Sequence, residues 1–143
     1  MTNTGKKTLT SSINQKGRFA FVIPVYNHAG CVTDVIRRSQ TLGFPVFVVN
    51  DGSTDNTYDE IRDIPDIRII CHEKNMGKGA ALLSGFSAAS SEADWAITID
   101  ADGQHHPEDA LNLIAVIPAS SRAIIVGARE GMQGEHVPWT SRF

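Results

Sequence analysis

Phe19–Val25 (FAFVIPV) and Pro45–Asn50 (PVFVVN) decide how this chain folds. Each is a continuous apolar run, β-branched in part, with no alternation of polar and apolar positions. Strands of that kind are buried on both faces, as in a parallel sheet covered by helices on both sides. The first run leads into Tyr26-Asn27-His28 and the second straight into Asp51-Gly52-Ser53. Ile67–Cys71 (IRIIC), Trp95–Asp100 (WAITID) and Ala123–Val126 (AIIV) are three more runs of the same character. Helix-like segments separate them. Ala29–Leu42 places Val32, Val35, Ile36 and Leu42 close to a 3.6-residue spacing and ends at Gly43. Asp55–Ile61 is short, with Asp55 as a natural N-cap, and Gly79–Ala89 is rich in small residues that allow close packing on a sheet. Pro107–Ile117 begins with proline at a first-turn position, followed by Glu108 and Asp109, which suit the positive end of a helix. Strand and helix alternate throughout, so the expected fold is α/β with a doubly wound, mostly parallel sheet. Arg129–Phe143 reads as loop.

The composition agrees. The chain has 143 residues, 41% hydrophobic, 20% charged and 7% aromatic, which suits one globular domain able to bury a core without disulfide or metal. Residues 1–17 are expected to form a flexible polar tail, and residues 18–143 a single domain. Cys31 and Cys71 form no CxxC pair, which argues against a zinc knuckle or a redox motif. A net charge of −3 speaks against nucleic acid as a partner. No apolar run approaches the roughly 18 residues of a membrane span, and the polar N-terminus has no signal-peptide core. The expected location is the cytoplasm.

In a sheet of this kind ligands bind outside the carboxyl ends of the strands, and the polar residues of this chain gather there. Asp100-Ala101-Asp102 carries the most chemical information. Two carboxylates two positions apart at a strand end can meet one hard cation, with Gln104 as a further oxygen donor. Mg²⁺ or Mn²⁺ held by few protein oxygens keeps positions open for diphosphate oxygens. The competing reading is a loop whose aspartates merely cap the helix that follows. Asn50–Asp55 suits a tight turn, yet Asp51 directly ends a buried strand, where an acid can accept hydrogen bonds from a nucleobase or ribose. Tyr26 can stack on a base or pack at the rim. Asn75–Gly79 (NMGKG) is cradle-like but matches neither the P-loop nor the dinucleotide fingerprint, and Lys78 alone is a common solvated lysine. His105 and His106 read as loop histidines.

In series, PVYNHAG, VVNDGSTDNT, NMGKGAALLSGF and ITIDADGQHHPED resemble family 2 glycosyltransferases of the GT-A fold, over about Arg18 to Phe143. The DADGQH form and the GKGAAL block are most similar to members that use polyprenyl-phosphate acceptors in cell-envelope and related pathways. The resemblance implies that Pro24, Tyr26, Asn27 and Asp51 bind the nucleoside part of a UDP- or GDP-sugar, with Asn75, Lys78 and Asp100 near the donor. It implies that Asp100, Asp102 and Gln104 hold Mg²⁺ or Mn²⁺. It also implies that Asp102, Arg129 and Arg142 are catalytic, the arginines lying by the transferred sugar and the acceptor phosphate, where a guanidinium binds oxygens bidentately. His28 stands where many members have Glu. The expected reaction is a metal-assisted inverting transfer from a nucleotide-diphospho-sugar to an acceptor such as a polyprenyl phosphate, at the inner face of a membrane. Relatives continue beyond the segment matching Phe143, so the chain reads as a donor-binding half with the acceptor half missing. The alternative is a non-catalytic nucleotide-sugar-binding module. A nucleotidyltransferase would carry a glycine- and arginine-rich loop after the first strand, which PVYNHAG is not.

Overall fold

A computed structural model of the chain describes residues 16–117 and 123–125. Strand β1 (Phe19–Val25) is followed by helix α1 (Val32–Gln40), β2 (Val46–Asn50), the short α2 (Thr57–Ile61), β3 (Ile67–Cys71), α3 (Lys78–Ala89) and β4 (Trp95–Thr98). A 3₁₀ turn (Pro107–Asp109) then opens α4 (Ala110–Val116). The four strands form one sheet in the order β3-β2-β1-β4, and every pairing is parallel.

Alternation along β1 sorts the core into two layers. Phe21, Ile23 and Val25 join Val46 and Val48 of β2 against Val32, Val35 and Ile36 of α1 and Ile61 of α2. Ala20 and Val22, with Phe47, face the opposite way and pack with Ala89 of α3. Helices thus cover both sheet faces, which is why β1 and β2 are buried at every position. Strands β3 and β4, at the sheet edges among the described residues, are only partly covered, so burial on both faces holds for the two central strands. Helix α3 lies unusually close to the sheet. A Cβ added at Gly85 would meet Val22 Cγ1 at 2.3 Å and Val49 Cγ2 at 3.1 Å, so only glycine allows this approach.

Several boundaries differ from the sequence reading for local reasons. Helix α1 starts at Val32 instead of Ala29, because Gly30 has φ +88° and its N–H is taken by the Glu60 carboxylate. At its other end the N–H groups of Leu42 and Gly43 bond to Ser39 and Gln40 in a tightened final turn. Helix α3 begins at Lys78, one residue early, behind Gly77 at φ +92°. The proline-led helix splits into the 3₁₀ turn and α4. Of the fifth apolar run, Ala123–Ile125 form no strand and Ile124 is 94% exposed, while Val126 lies outside the described residues. At the end of the expected tail, Lys16 donates from Nζ to the Ile114 and Ala115 carbonyls, placing a cation at the C-terminus of α4.

Candidate functional site

The strand order locates the site before any side chain is considered. The chain moves from β1 to β2 and β3 on one side, then crosses back to lay β4 on the other side of β1. The carboxyl ends of β1 and β4 therefore flank the switch point of the sheet, where open α/β folds form their ligand crevice. Tyr26 leaves the end of β1 there with 40% of its surface exposed. Asp100 and Asp102 follow β4.

Lys78 reaches across to Asp100. Its Nζ lies 2.6 Å from Oδ1 and 2.8 Å from Oδ2, so one ammonium sits between both carboxylate oxygens. Asp102 Oδ1 accepts the Gln104 N–H at 2.9 Å, which closes a turn within the loop. Neither aspartate caps the helix that follows, since the 3₁₀ turn begins behind His106 with no side-chain cap. The capping alternative thus fails. Among the described residues no group of three or more His, Cys, Asp and Glu side chains could hold a metal. A cation here would have two carboxylates and the Gln104 amide as protein donors. The donor set still fits by its chemistry: all ligands are hard oxygens, few enough to leave positions for phosphate oxygens.

Beside the switch point, the loops after β2 and β3 are locked by Asp51. This residue is 3% exposed. Its Oδ1 accepts from Met76 N–H at 2.9 Å and faces His72 Nδ1 at 2.6 Å, and its Oδ2 accepts from Gly77 N–H at 2.8 Å. Burial pushes its pKa up, but the bonds from Met76, His72 and Gly77, with the charge of His72, outweigh burial and hold it below the ordinary carboxylate value. The sequence reading gives Asp51 a contact with base or ribose. In the structure both oxygens already accept from protein donors, and what the residue visibly does is fix residues 72–77.

His72 is the residue sequence reasoning missed. Its Nε2 lies 2.9 Å from Ser84 Oγ, so the ring links Asp51 to helix α3. The signal lay in the register: Asn50 pairs with Cys71, which places Asp51 and His72 side by side as the next residues of two parallel strands.

Asn27 and Asn75 also serve the loops. Asn27 has φ +54°, and its Oδ1 accepts from Thr54 N–H at 2.8 Å and Asp55 N–H at 3.3 Å. Its own N–H donates to Ser53 Oγ at 3.1 Å, and His28 N–H to Thr57 Oγ1 at 3.1 Å. Asp55 accepts from Thr57 N–H at 2.9 Å and from Ala29 N–H at 3.2 Å, but it is not the N-cap expected of it: α2 starts at Thr57 behind Asn56, with no side-chain cap. The Asn50–Thr57 segment is therefore largely a clamp on the loop after β1, the turn-forming side of its sequence reading. Asn75 Oδ1 accepts from Gly77 N–H at 2.9 Å. Pro24 is buried within β1, opposite Val49, one residue short of the rim. Arg129 and Arg142 lie outside the described residues.

With the geometry in place, the comparisons are consistent with it. A sequence model described as Glycosyl transferase family 2 matches residues 20–142. A UDP-N-acetylglucosamine–dolichyl-phosphate N-acetylglucosaminyltransferase from Methanococcus voltae is 32% identical over 126 residues, covering 76% of this chain and 50% of its own. An undecaprenyl-phosphate 4-deoxy-4-formamido-L-arabinose transferase from Pseudomonas aeruginosa is 35% identical over 104 residues, covering 65% of this chain and 30% of its own. Glucosyl-3-phosphoglycerate synthase from Mycobacterium tuberculosis superposes with a TM-score of 0.62 at 24% identity, over 76% of this chain and 43% of that one. The same enzyme in complex with uridine diphosphate gives a TM-score of 0.60 at 24% identity, over 73% and 41%. These superpositions bear out the parallel doubly wound sheet as a GT-A fold. The chain spans about half the length, or less, of the curated relatives it matches.

Proposed function

The chain belongs to glycosyl transferase family 2, and from that premise we propose that it is the donor-binding part of an enzyme that moves a sugar from a UDP- or GDP-sugar to a polyprenyl phosphate. The observation that carries this reading is the pair Asp100 and Asp102 after β4, beside the switch point, with the Lys78 side chain reaching Asp100. The names of the relatives supply the substrate classes: a UDP-sugar donor in one, dolichyl or undecaprenyl phosphate acceptors in several.

Asp100, Asp102 and Gln104 would hold Mg²⁺ or Mn²⁺. When bound, that ion supplies positive charge to the diphosphate as it leaves. Tyr26 offers an exposed ring for the nucleobase at the end of β1. Asp51 and His72 act behind the rim, where they fix the loop that leads into Lys78. A lipid phosphate attacks the anomeric carbon as an anion, the bond to the diphosphate breaks, and configuration inverts. Such an acceptor needs no positioned base, whereas a hydroxyl acceptor would. Arg129 and Arg142 are proposed for the acceptor side on sequence grounds alone. A lipid acceptor also puts the reaction at a membrane surface. Among the described residues no helix is long and apolar enough to cross one.

The test is incubation of the protein with Mn²⁺, a labelled UDP- or GDP-sugar and undecaprenyl or dolichyl phosphate in detergent micelles. Stoichiometric, Mn²⁺-dependent donor binding is the expected result for this donor-binding part, and labelled lipid, formed with inversion at the sugar and one nucleoside diphosphate released per sugar, for the enzyme that also carries the acceptor part. Donor binding without turnover in that longer protein would instead assign a binding module.

A further inference from the structure

Lys78 is placed where a helix disfavours a lysine. It is the first residue of α3, and a cation there opposes the positive end of the helix dipole. Its side chain is 61% exposed, yet it lies against Asp100 with both oxygens in reach. This ammonium lies 2.6 and 2.8 Å from the two oxygens of one carboxylate, so a divalent cation that takes Asp100 as a ligand would have to compete with it.

We propose that Lys78 is a displaceable placeholder for the divalent cation: it neutralises Asp100, yields that carboxylate when the cation arrives, and moves its ammonium onto the diphosphate of the donor. The inference rests on the proposed donor site and adds the order of events there. Three features of the chain support the exchange. Gly77, directly before Lys78, is anchored from behind by Asp51 and Asn75, so the backbone stays in place while the side chain moves. The lysine has four rotatable carbons and needs no backbone shift to leave Asp100. Its pair with Asp100 is solvent-exposed and therefore weak enough to be broken by an ion that also engages Asp102.

Charge balance gives the exchange its consequence. In the Lys78–Asp100 pair one ammonium offsets one carboxylate. With cation and diphosphate bound, Asp100 and Asp102 face the metal, and the released ammonium adds a further positive charge beside the leaving group. Cation and nucleotide should then bind cooperatively, because the cation frees the lysine that the nucleotide uses.

The experiment measures Mn²⁺ binding alone, by the electron paramagnetic resonance of the free ion, and then UDP and GDP binding at saturating Mn²⁺. Wild type, Lys78→Met and Asp102→Asn are compared. Removing the competing ammonium should tighten Mn²⁺ binding by Lys78→Met about fivefold, the worth of an exposed ion pair. The same variant should bind the nucleotide in the presence of Mn²⁺ several-fold more weakly than wild type. Asp102→Asn should lose Mn²⁺. If Asp102→Asn loses Mn²⁺ but Lys78→Met binds it no tighter than wild type, the placeholder role is wrong and the donor site stands. If Mn²⁺ binds to none of the three proteins, or to Asp102→Asn as well as to wild type, the metal site and the placeholder fall together. Unchanged thermal unfolding of Lys78→Met, expected for an exposed side chain, ties either outcome to the site.

Discussion

Asp51→Ala is expected to lower stability by about 3 kcal/mol, near the upper end for single substitutions, and to abolish nucleotide binding at the same time. The carboxylate is the shared acceptor for Met76 N–H, Gly77 N–H and the His72 ring, with almost no access to solvent. Removing it leaves those donors without an acceptor, at about 1–3 kcal/mol for each one that stays buried, moderated where the loop relaxes toward water. It also frees residues 72–77, and with them the backbone that carries Lys78 to the rim. Urea unfolding should show the lower midpoint with an unchanged slope. An unaltered midpoint would mean the network contributes nothing.

The same residue predicts a pH dependence with a definite sign. The pKa of Asp51 is held below its unfolded value, about 3.9 for an aspartate. Its contribution is therefore fully present above that value and is lost as pH falls through the lower, folded one. Wild type should lose stability on acidification below about pH 4, and Asp51→Asn, which has no charge to lose there, should show a shallower fall. Parallel curves for the two proteins would remove Asp51 from the account of acid sensitivity.

Gly52→Ala is the second large effect. Gly52 has φ +68°, where an L side chain costs about 1–2 kcal/mol. A Cβ there would also lie 2.3 Å from the Lys74 carbonyl carbon and 2.5 Å from Asn75 N, both backbone atoms that no rotamer change can move. With overpacking at about 1–3 kcal/mol, the total is about 3 kcal/mol. Hydrogen exchange should show the Met76 and Gly77 amides losing protection as the loop lifts from Asp51. Gly79→Ala, in the first turn of α3 with open space around it, should be neutral or slightly stabilising. Equal effects of the two substitutions would contradict the close contact of the β2 and β3 loops.

These residues also mark what the sequence could and could not tell. The doubly wound sheet was legible because FAFVIPV and PVFVVN lack the alternation of a half-exposed strand, and the helix between them keeps a 3.6-residue period. The rim where polar residues gather was legible too, since polar residues ended each strand. What each polar residue does was not. The resemblance implies ligand contacts for Asn27, Asp51 and Asn75, yet Asn27 and Asp51 bond to neighbouring loops and Asn75 to Gly77 in its own. That distinction depends on which loops the parallel register brings together. The Lys78–Asp100 pair spans 22 positions and two elements, so no local pattern announces it. His72 looked unremarkable for the same reason. The fifth run, AIIV, shows the opposite error: a strand-like composition whose described residues join no ladder.

The most direct test of the central claim is a calorimetric titration of UDP and GDP into the protein, with Mn²⁺ and then with EDTA, repeated on Asp102→Asn. The account predicts saturable binding of one of the two nucleotides with Mn²⁺, lost with EDTA and lost in Asp102→Asn. Binding that survives both EDTA and the substitution would contradict a metal-bridged diphosphate at the β1–β4 switch point, and so would the absence of binding to either nucleotide.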